Sequence, residues 1–157
     1  VLYMMKTDVI QLDEKSAEDF LRLRIELLSE LGEIDEYADI SQLKSSTEQY
    51  FLSHINKDLF SWGISAGGRL ASIGSLCLFT RIPYEENLSG AEGYILNIYT
   101  LPEFRKRGLA DRILDRIIEY SRESGIKKLW LNSSDQGRRL YAEKGFKEKD
   151  NEMELFL

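Results

Sequence analysis

Three consecutive cations, Arg105, Lys106 and Arg107, stand directly before Gly108, Leu109 and Ala110 in a chain whose formal net charge is -6. Placed where a strand gives way to a helix, such a cluster is suited to an anion. The first N–H groups of a helix have no intrahelical acceptor. The helix dipole favours negative charge there, and small side chains let a ligand reach the backbone. A phosphate or pyrophosphate is the natural occupant. Other residue types that usually carry chemistry are scarce: Cys77 is the one cysteine and His54 the one histidine. An internal disulfide is excluded, and no metal site is expected.

The basic segment must be positioned by what surrounds it. Upstream, "EGYILNIYTL" is strongly β-prone; after Pro102 the apolar period changes from 2 to 3.6, with Leu109, Ile113, Leu114, Ile117 and Ile118 on one stripe before Ser124-Gly125. "KKLWLN" then reads as a strand, so strand, helix and strand form a βαβ unit whose two strands run parallel. Asp135 is placed to cap a last helix, "QGRRLYAEK", ended by Gly145, and "KGFKEKDNEMELFL" is expected to supply one or two closing strands. In the first half, "TDVIQL" reads as a short strand. A helix opened by Ser16 carries Phe20, Leu23, Leu27, Leu28 and Leu31 up to Gly32, and a second runs from about Thr47 to Asn56. "LFSWGISA" and "RLASIGSLCLF" flank Gly67-Gly68, a dipeptide suited to a tight hairpin. Cys77, Trp62 and Trp130 read as packing residues, and the polar loop "TRIPYEENLSGA" is the longest exposed candidate for substrate contact. The class is α/β with a mixed sheet, and a single domain over 1–157 is expected.

Composition narrows the function. Hydrophobic residues make up 43% and charged residues 31%, with no apolar run approaching a membrane span, so neither a membrane partner nor a membrane location is expected. No secretory signal is readable in "VLYMMKTD", which points to a cytoplasmic home, and Met4 or Met5 reads as the native start in place of Val1. Positive charge is concentrated in residues 105–149, whereas the segments on either side are acidic. That pattern suits a locally held anionic ligand better than a nucleic-acid face, which would be basic overall. The acidic remainder would favour a cationic small molecule. Neither the nucleoside-triphosphate loop G-x-x-x-x-G-K-[ST] nor the dinucleotide loop G-x-G-x-x-G is present.

What is present, "RKRGLA" followed by "LYAEKGF", resembles the GNAT superfamily of N-acetyltransferases. The likeness is carried by Tyr94 to Phe146 and, before that, by element order. It implies a mixed, mostly antiparallel twisted sheet of about six or seven strands flanked by about four helices, with a central β-α-β unit for acetyl-coenzyme A. By the same resemblance, Arg105, Lys106, Arg107, Gly108, Leu109 and Ala110 would cradle the cofactor's pyrophosphate. Ile98 and Thr100 would meet its pantetheine arm, and Ser134 stands where many members carry a cofactor-contacting asparagine. Tyr141 would protonate the departing thiolate. The implied reaction is acetyl transfer to a primary amine of a small molecule, peptide or protein by direct attack, without a metal. The position at which some members carry a strand carboxylate is Tyr94 here, so the base stays open between Glu92, Glu85, Glu86 and water. A non-catalytic coenzyme A sensor is the alternative reading, and a homodimer is compatible with the sequence.

Overall fold

The computed structural model describes residues 8–157; Val1 to Tyr3 and the start of "TDVIQL" lie outside them. The chain enters through a two-residue strand, β1 (Ile10–Gln11), and a 3-10 turn capped by Asp13, whose carboxylate accepts from the Lys15 N–H. Helix α1 (Ala17–Glu30) buries Phe20, Leu23 and Leu28, as the heptad-like spacing requires. Helix α2 (Ser41–His54) begins well before Thr47, at the point where the Asp39 carboxylate accepts from the Ser41 N–H at 3.0 Å. Strands β2 (Leu59–Ala66) and β3 (Arg69–Thr80) form the expected hairpin, with Gly67 at φ 59° and Gly68 at φ 82°, the double positive-φ turn that matches strand twist. β4 (Ala91–Thr100), α3 (Leu109–Glu123) and β5 (Lys128–Leu131) are the βαβ unit, and α4 (Arg138–Glu143) follows.

The sheet order is β1-β2-β3-β4-β5, antiparallel except for the parallel β4–β5 pair. Its two faces bury separate clusters. Phe20, Leu23 and Phe51 of the first two helices pack on Leu59, Leu70, Ile73 and Tyr99. On the other face Ile113, Leu114 and Ile117 of α3 pack on Phe60, Trp62, Ile64, Leu76 and Ile95. The expectation of six or seven strands is corrected to five among the described residues, because the run after Gly145 pairs with nothing. No backbone hydrogen bond in it follows that from the Phe146 N–H to the Tyr141 carbonyl. The last helix is also shorter than expected. Asp135 reaches Arg138 at 3.6 Å rather than capping, and the turn is closed by the Ser134 carbonyl and hydroxyl, both accepting from the Gly137 N–H.

Candidate active site

β4 and β5 pair only from Glu92 opposite Lys128 to Ile95 opposite Leu131. Beyond Ile95 the β5-facing edge of β4 is unpaired, so the sheet opens into a cleft at Leu96–Thr100. A register shift against β3 marks the same stretch, with Asn97 in the left-handed region at φ 57°. Asn97 is 5% exposed, yet neither its Nδ2 nor its Oδ1 has a partner among the described residues, an orphaned donor and acceptor on the unpaired stretch of β4. Ile98 packs its side chain on the α3 cluster, and Thr100 Oγ1 bonds Ser72 Oγ at 2.7 Å. At Ile98 the backbone, rather than the side chain, is left for a ligand in the cleft, whereas the Thr100 carbonyl already accepts from Arg105 Nε at 2.9 Å.

The basic loop follows through a 3-10 turn (Pro102–Phe104). Lys106 (φ 61°) and Gly108 (φ 74°) both adopt positive φ, and Gly108 is the N-cap of α3 with no side chain satisfying the first turn. A Cβ built on Gly108 would meet nothing within 4 Å. Bare first-turn N–H groups over open space fit a pyrophosphate, and coenzyme A carries one. Leu109 is buried and anchors the helix start, with Ala110 half-buried behind it. The three cations are not equivalent. Arg105 donates to the Thr100 carbonyl at 2.9 Å and to Glu30 Oε2 at 2.7 Å, and its guanidinium lies over the Tyr99 ring at 5.5 Å. Its hydrogen bond holds the Glu30 carboxyl below the usual carboxylate range. Burial and the same Glu30 push the Tyr99 phenol up to about 12. Arg107 reaches the Glu103 carbonyl at 3.3 Å and the Phe104 ring at 5.4 Å, while the Lys106 side chain is exposed.

Tyr141, on α4, is half-buried with its ring edge-on to Phe146 at 6.0 Å. Burial raises its phenol, with Tyr94 a second, electrostatic contributor. The hydroxyl has no hydrogen-bond partner among the described residues. Tyr94, half-buried on β4, packs at 4.5 Å on the Trp130 ring, and burial raises its phenol too. Two protonated phenols thus border the cleft from β4 and α4. Lys144 bridges Asp111 at 2.9 Å and Asp115 at 2.6 Å, holding α4 against α3. Ser134, exposed, spends its hydroxyl on the turn before α4.

The open carboxylate candidates separate. Glu92 is fully buried and already bonded to Tyr84 Oη at 2.9 Å and Arg81 Nη1 at 3.3 Å, which makes it the anchor of the 81–90 loop. Glu85 and Glu86 are exposed on that loop. A residue that pattern reading passed over is Arg24, one helical turn from both Phe20 and Leu28 and therefore facing the sheet. It is half-buried, and no hydrogen bond or ion pair holds it among the described residues. Its electrostatic neighbours are Glu33, Tyr94 and Cys77, and desolvation pulls its guanidinium below the ordinary value. The signal was a charge inside an apolar stripe. Cys77 itself is partly buried, with Tyr50 Oη 3.6 Å from its sulfur.

The acetyltransferase (GNAT) family model matches residues 20–146. The chain belongs to that family. A predicted acetyltransferase with acetyl-CoA from Clostridium acetobutylicum superposes with a TM-score of 0.86 at 28% identity, covering 96% of each chain. A GCN5-related N-acetyltransferase from Ralstonia eutropha JMP134 gives 0.85 at 24% identity, covering 96% of this chain and 98% of that one. Among curated proteins, glucosamine 6-phosphate N-acetyltransferase 1 of Oryza sativa subsp. japonica is 29% identical over 92 residues, 59% of this chain and 54% of the relative. The match therefore spans about half the relative's length. Among the described residues no group of His, Cys, Asp and Glu could hold a metal, and no helix is long and apolar enough to cross a membrane.

Proposed function

We propose that the chain transfers the acetyl group of acetyl-coenzyme A to the primary amine of a small molecule that also carries an anionic group. The observation that carries the transfer is the uncapped, side-chain-free start of α3 at Gly108 beside the opened β4 edge. The first-turn N–H groups of α3, with Lys106 and Arg107 alongside, bind the pyrophosphate, and the backbone at Ile98 and Thr100 lines the pantetheine arm. Acetyl-coenzyme A supplies the activated acyl group when bound. Asn97 offers the buried amide that a polar portion of that arm satisfies.

Positioning supplies most of the rate, because the amine and the thioester are held as one complex. The amine nitrogen bonds to the carbonyl carbon, the carbon–sulfur bond breaks, and the amine's extra proton passes to water. Tyr141 gives its proton to the sulfur and is reprotonated from solvent. Burial keeps the phenol protonated at neutral pH, and the same dry wall raises the proton affinity of a thiolate whose thiol has a pKa of about 8.5, with cysteine as the model. Tyr94 occupies the position where a strand carboxylate would serve as base, and Glu92 is sealed and doubly bonded, so water is the favoured proton acceptor.

Arg24 supports the anionic acceptor. A half-buried guanidinium whose electrostatic neighbours include Glu33 and Tyr94, with no hydrogen bond or ion pair among the described residues, is costly unless a ligand pairs with it. The rice relative's name supplies an acceptor of that chemistry, an amino sugar phosphate. The experiment is a thiol-release screen over amines with and without phosphate or carboxylate groups, run on the parent and on Arg24→Gln. The expected result is turnover with anionic amines only, and about a tenfold loss of kcat/KM in the variant, equal to about 1.4 kcal/mol. Turnover of neutral and cationic amines unaffected by Arg24→Gln overturns the acceptor assignment. Thiol release at background with every amine overturns catalysis and leaves the sensor.

A further inference from the structure

The basic loop is tied to the end of α1. Arg105, the first residue after the 3-10 turn, sends its Nη2 to Glu30 Oε2 at 2.7 Å, and the Tyr99 hydroxyl donates to the same oxygen at 3.0 Å. The Arg105 Nε goes to the Thr100 carbonyl at 2.9 Å, with the guanidinium over the Tyr99 ring. Strand, loop and helix therefore meet at one side chain. Glu30 is the last residue of α1, a helix fixed to the sheet by Phe20 and Leu23. The carboxylate is held from a packed element rather than from another loop.

That tie decides what Arg105 is able to do. An arginine among cations before a helix start would ordinarily pair with an anion through its planar fork. Here Nε and Nη2 are committed to Thr100 and Glu30, and the charge of Glu30 offsets that of the guanidinium. The backbone beyond it needs a hold. Arg105 is extended, at φ -70° and ψ 164°, and Lys106 and Gly108 then both enter the left-handed region. A non-glycine residue goes there only at an energetic cost. A loop already held in that shape leaves less ordering to be done when a ligand binds.

We propose that Glu30 is a positioning residue for acetyl-coenzyme A: it holds Arg105 away from the pyrophosphate and makes it a brace, so that the turn at 106–108 is set before the ligand arrives. The inference rests on the reading of that loop as the pyrophosphate site. Glu30 touches no ligand group and acts through Arg105. The hydrogen bond from Arg105 keeps the Glu30 carboxyl below the usual carboxylate range, so the brace is charged at neutral pH.

The test is calorimetry on the full chain with acetyl-coenzyme A and with acetyl-pantetheine, which lacks the pyrophosphate and the nucleotide. Glu30→Ala is expected to bind acetyl-coenzyme A about tenfold more weakly and acetyl-pantetheine as the parent does. Glu30→Gln, whose amide oxygen still accepts from Arg105 and Tyr99, is expected to recover part of the loss. In an Arg105→Ala background, removing Glu30 is expected to change nothing further, since residues that act through one contact are not additive. Tighter binding of acetyl-coenzyme A by Glu30→Ala would make Arg105 a phosphate ligand held in check, and overturns the brace. Equal weakening towards both ligands means a general loosening of the fold, additive losses in the double variant mean that Glu30 acts without Arg105, and an unchanged affinity means that it holds nothing; each of these also overturns the proposal. A parent that binds the two ligands equally well defeats the pyrophosphate site itself, and this proposal with it, before any variant is made. Thiol release enters none of these readouts, so a failure of catalysis is distinct from a failure of the brace.

Discussion

Against α3 the sheet presents a closed apolar surface, in which Ile113, Leu114 and Ile117 reach zero exposure against Phe60, Trp62, Ile64, Leu76 and Ile95. Against α1 and α2 the apolar cluster covers only part of the sheet. It runs from Leu12 to Tyr99 and then gives way to Cys77, Tyr94, Glu92 and the unpaired Arg24. Strand alternation creates the contrast, because β4 sends Ile95 to one side and Glu92 and Tyr94 to the other. One face holds the strands in place at close packing. The other keeps desolvated polar groups that a core would not tolerate without a ligand. The groups proposed to meet the acceptor are thereby placed opposite the closed core, and the two sides meet at the β4–β5 opening, beside Tyr141 and the start of α3.

Tyr141 is where that separation is most sharply tested, since its ring packs with the α3-side cluster while its hydroxyl is unpartnered. Tyr141→Phe is expected to lower turnover by about 10² to 10⁴-fold while leaving melting temperature and acetyl-coenzyme A affinity close to the parent's. Steady-state kinetics with an accepted amine measure it, and full turnover would return Tyr141 to a packing role. The converse change is Ile117→Ala on the closed face. It should cost about 2–5 kcal/mol in denaturant unfolding and leave turnover per folded molecule unaltered; a large kinetic loss would mean the faces are not separable.

Tyr99 tests how the helix side grips the loop. Its phenol is pushed from 10.0 up to about 12 by burial and by Glu30. The neutral form is thus favoured in the folded state, and this contribution is complete below pH 10 and lost as pH rises towards 12. Over that window the parent should lose on the order of 2 kcal/mol more than Tyr99→Phe, as read from unfolding at each pH. Parallel curves for the two proteins would remove Tyr99 from the linkage. The smallest effect is expected at Gly108. Alanine at φ 74° costs about 1 kcal/mol of backbone strain, and its methyl group enters the space left for the pyrophosphate. Acetyl-coenzyme A affinity should fall about tenfold by calorimetry, and unchanged affinity would move the anion site elsewhere.

Much was readable in the residues themselves. Apolar spacing placed α3, the Gly67-Gly68 hairpin and the βαβ order, and the glycine after the cations marked a helix start open to a ligand, because these are local consequences of period and φ. The tertiary structure decided matters that depend on distant partners. Arg105 reads as an anion ligand beside Lys106, yet Glu30 on α1 takes its guanidinium. Glu92 reads as an available carboxylate, yet Tyr84 and Arg81 enclose it. Arg24 looks like one more helix charge until the sheet beneath it supplies no counter-ion. The run after Gly145 has the apolar alternation of a strand, but a strand is defined by the edge it bonds, and among the described residues this run pairs with none. Sequence sets what each segment is able to form; contacts between segments far apart in the chain set which groups remain free to act.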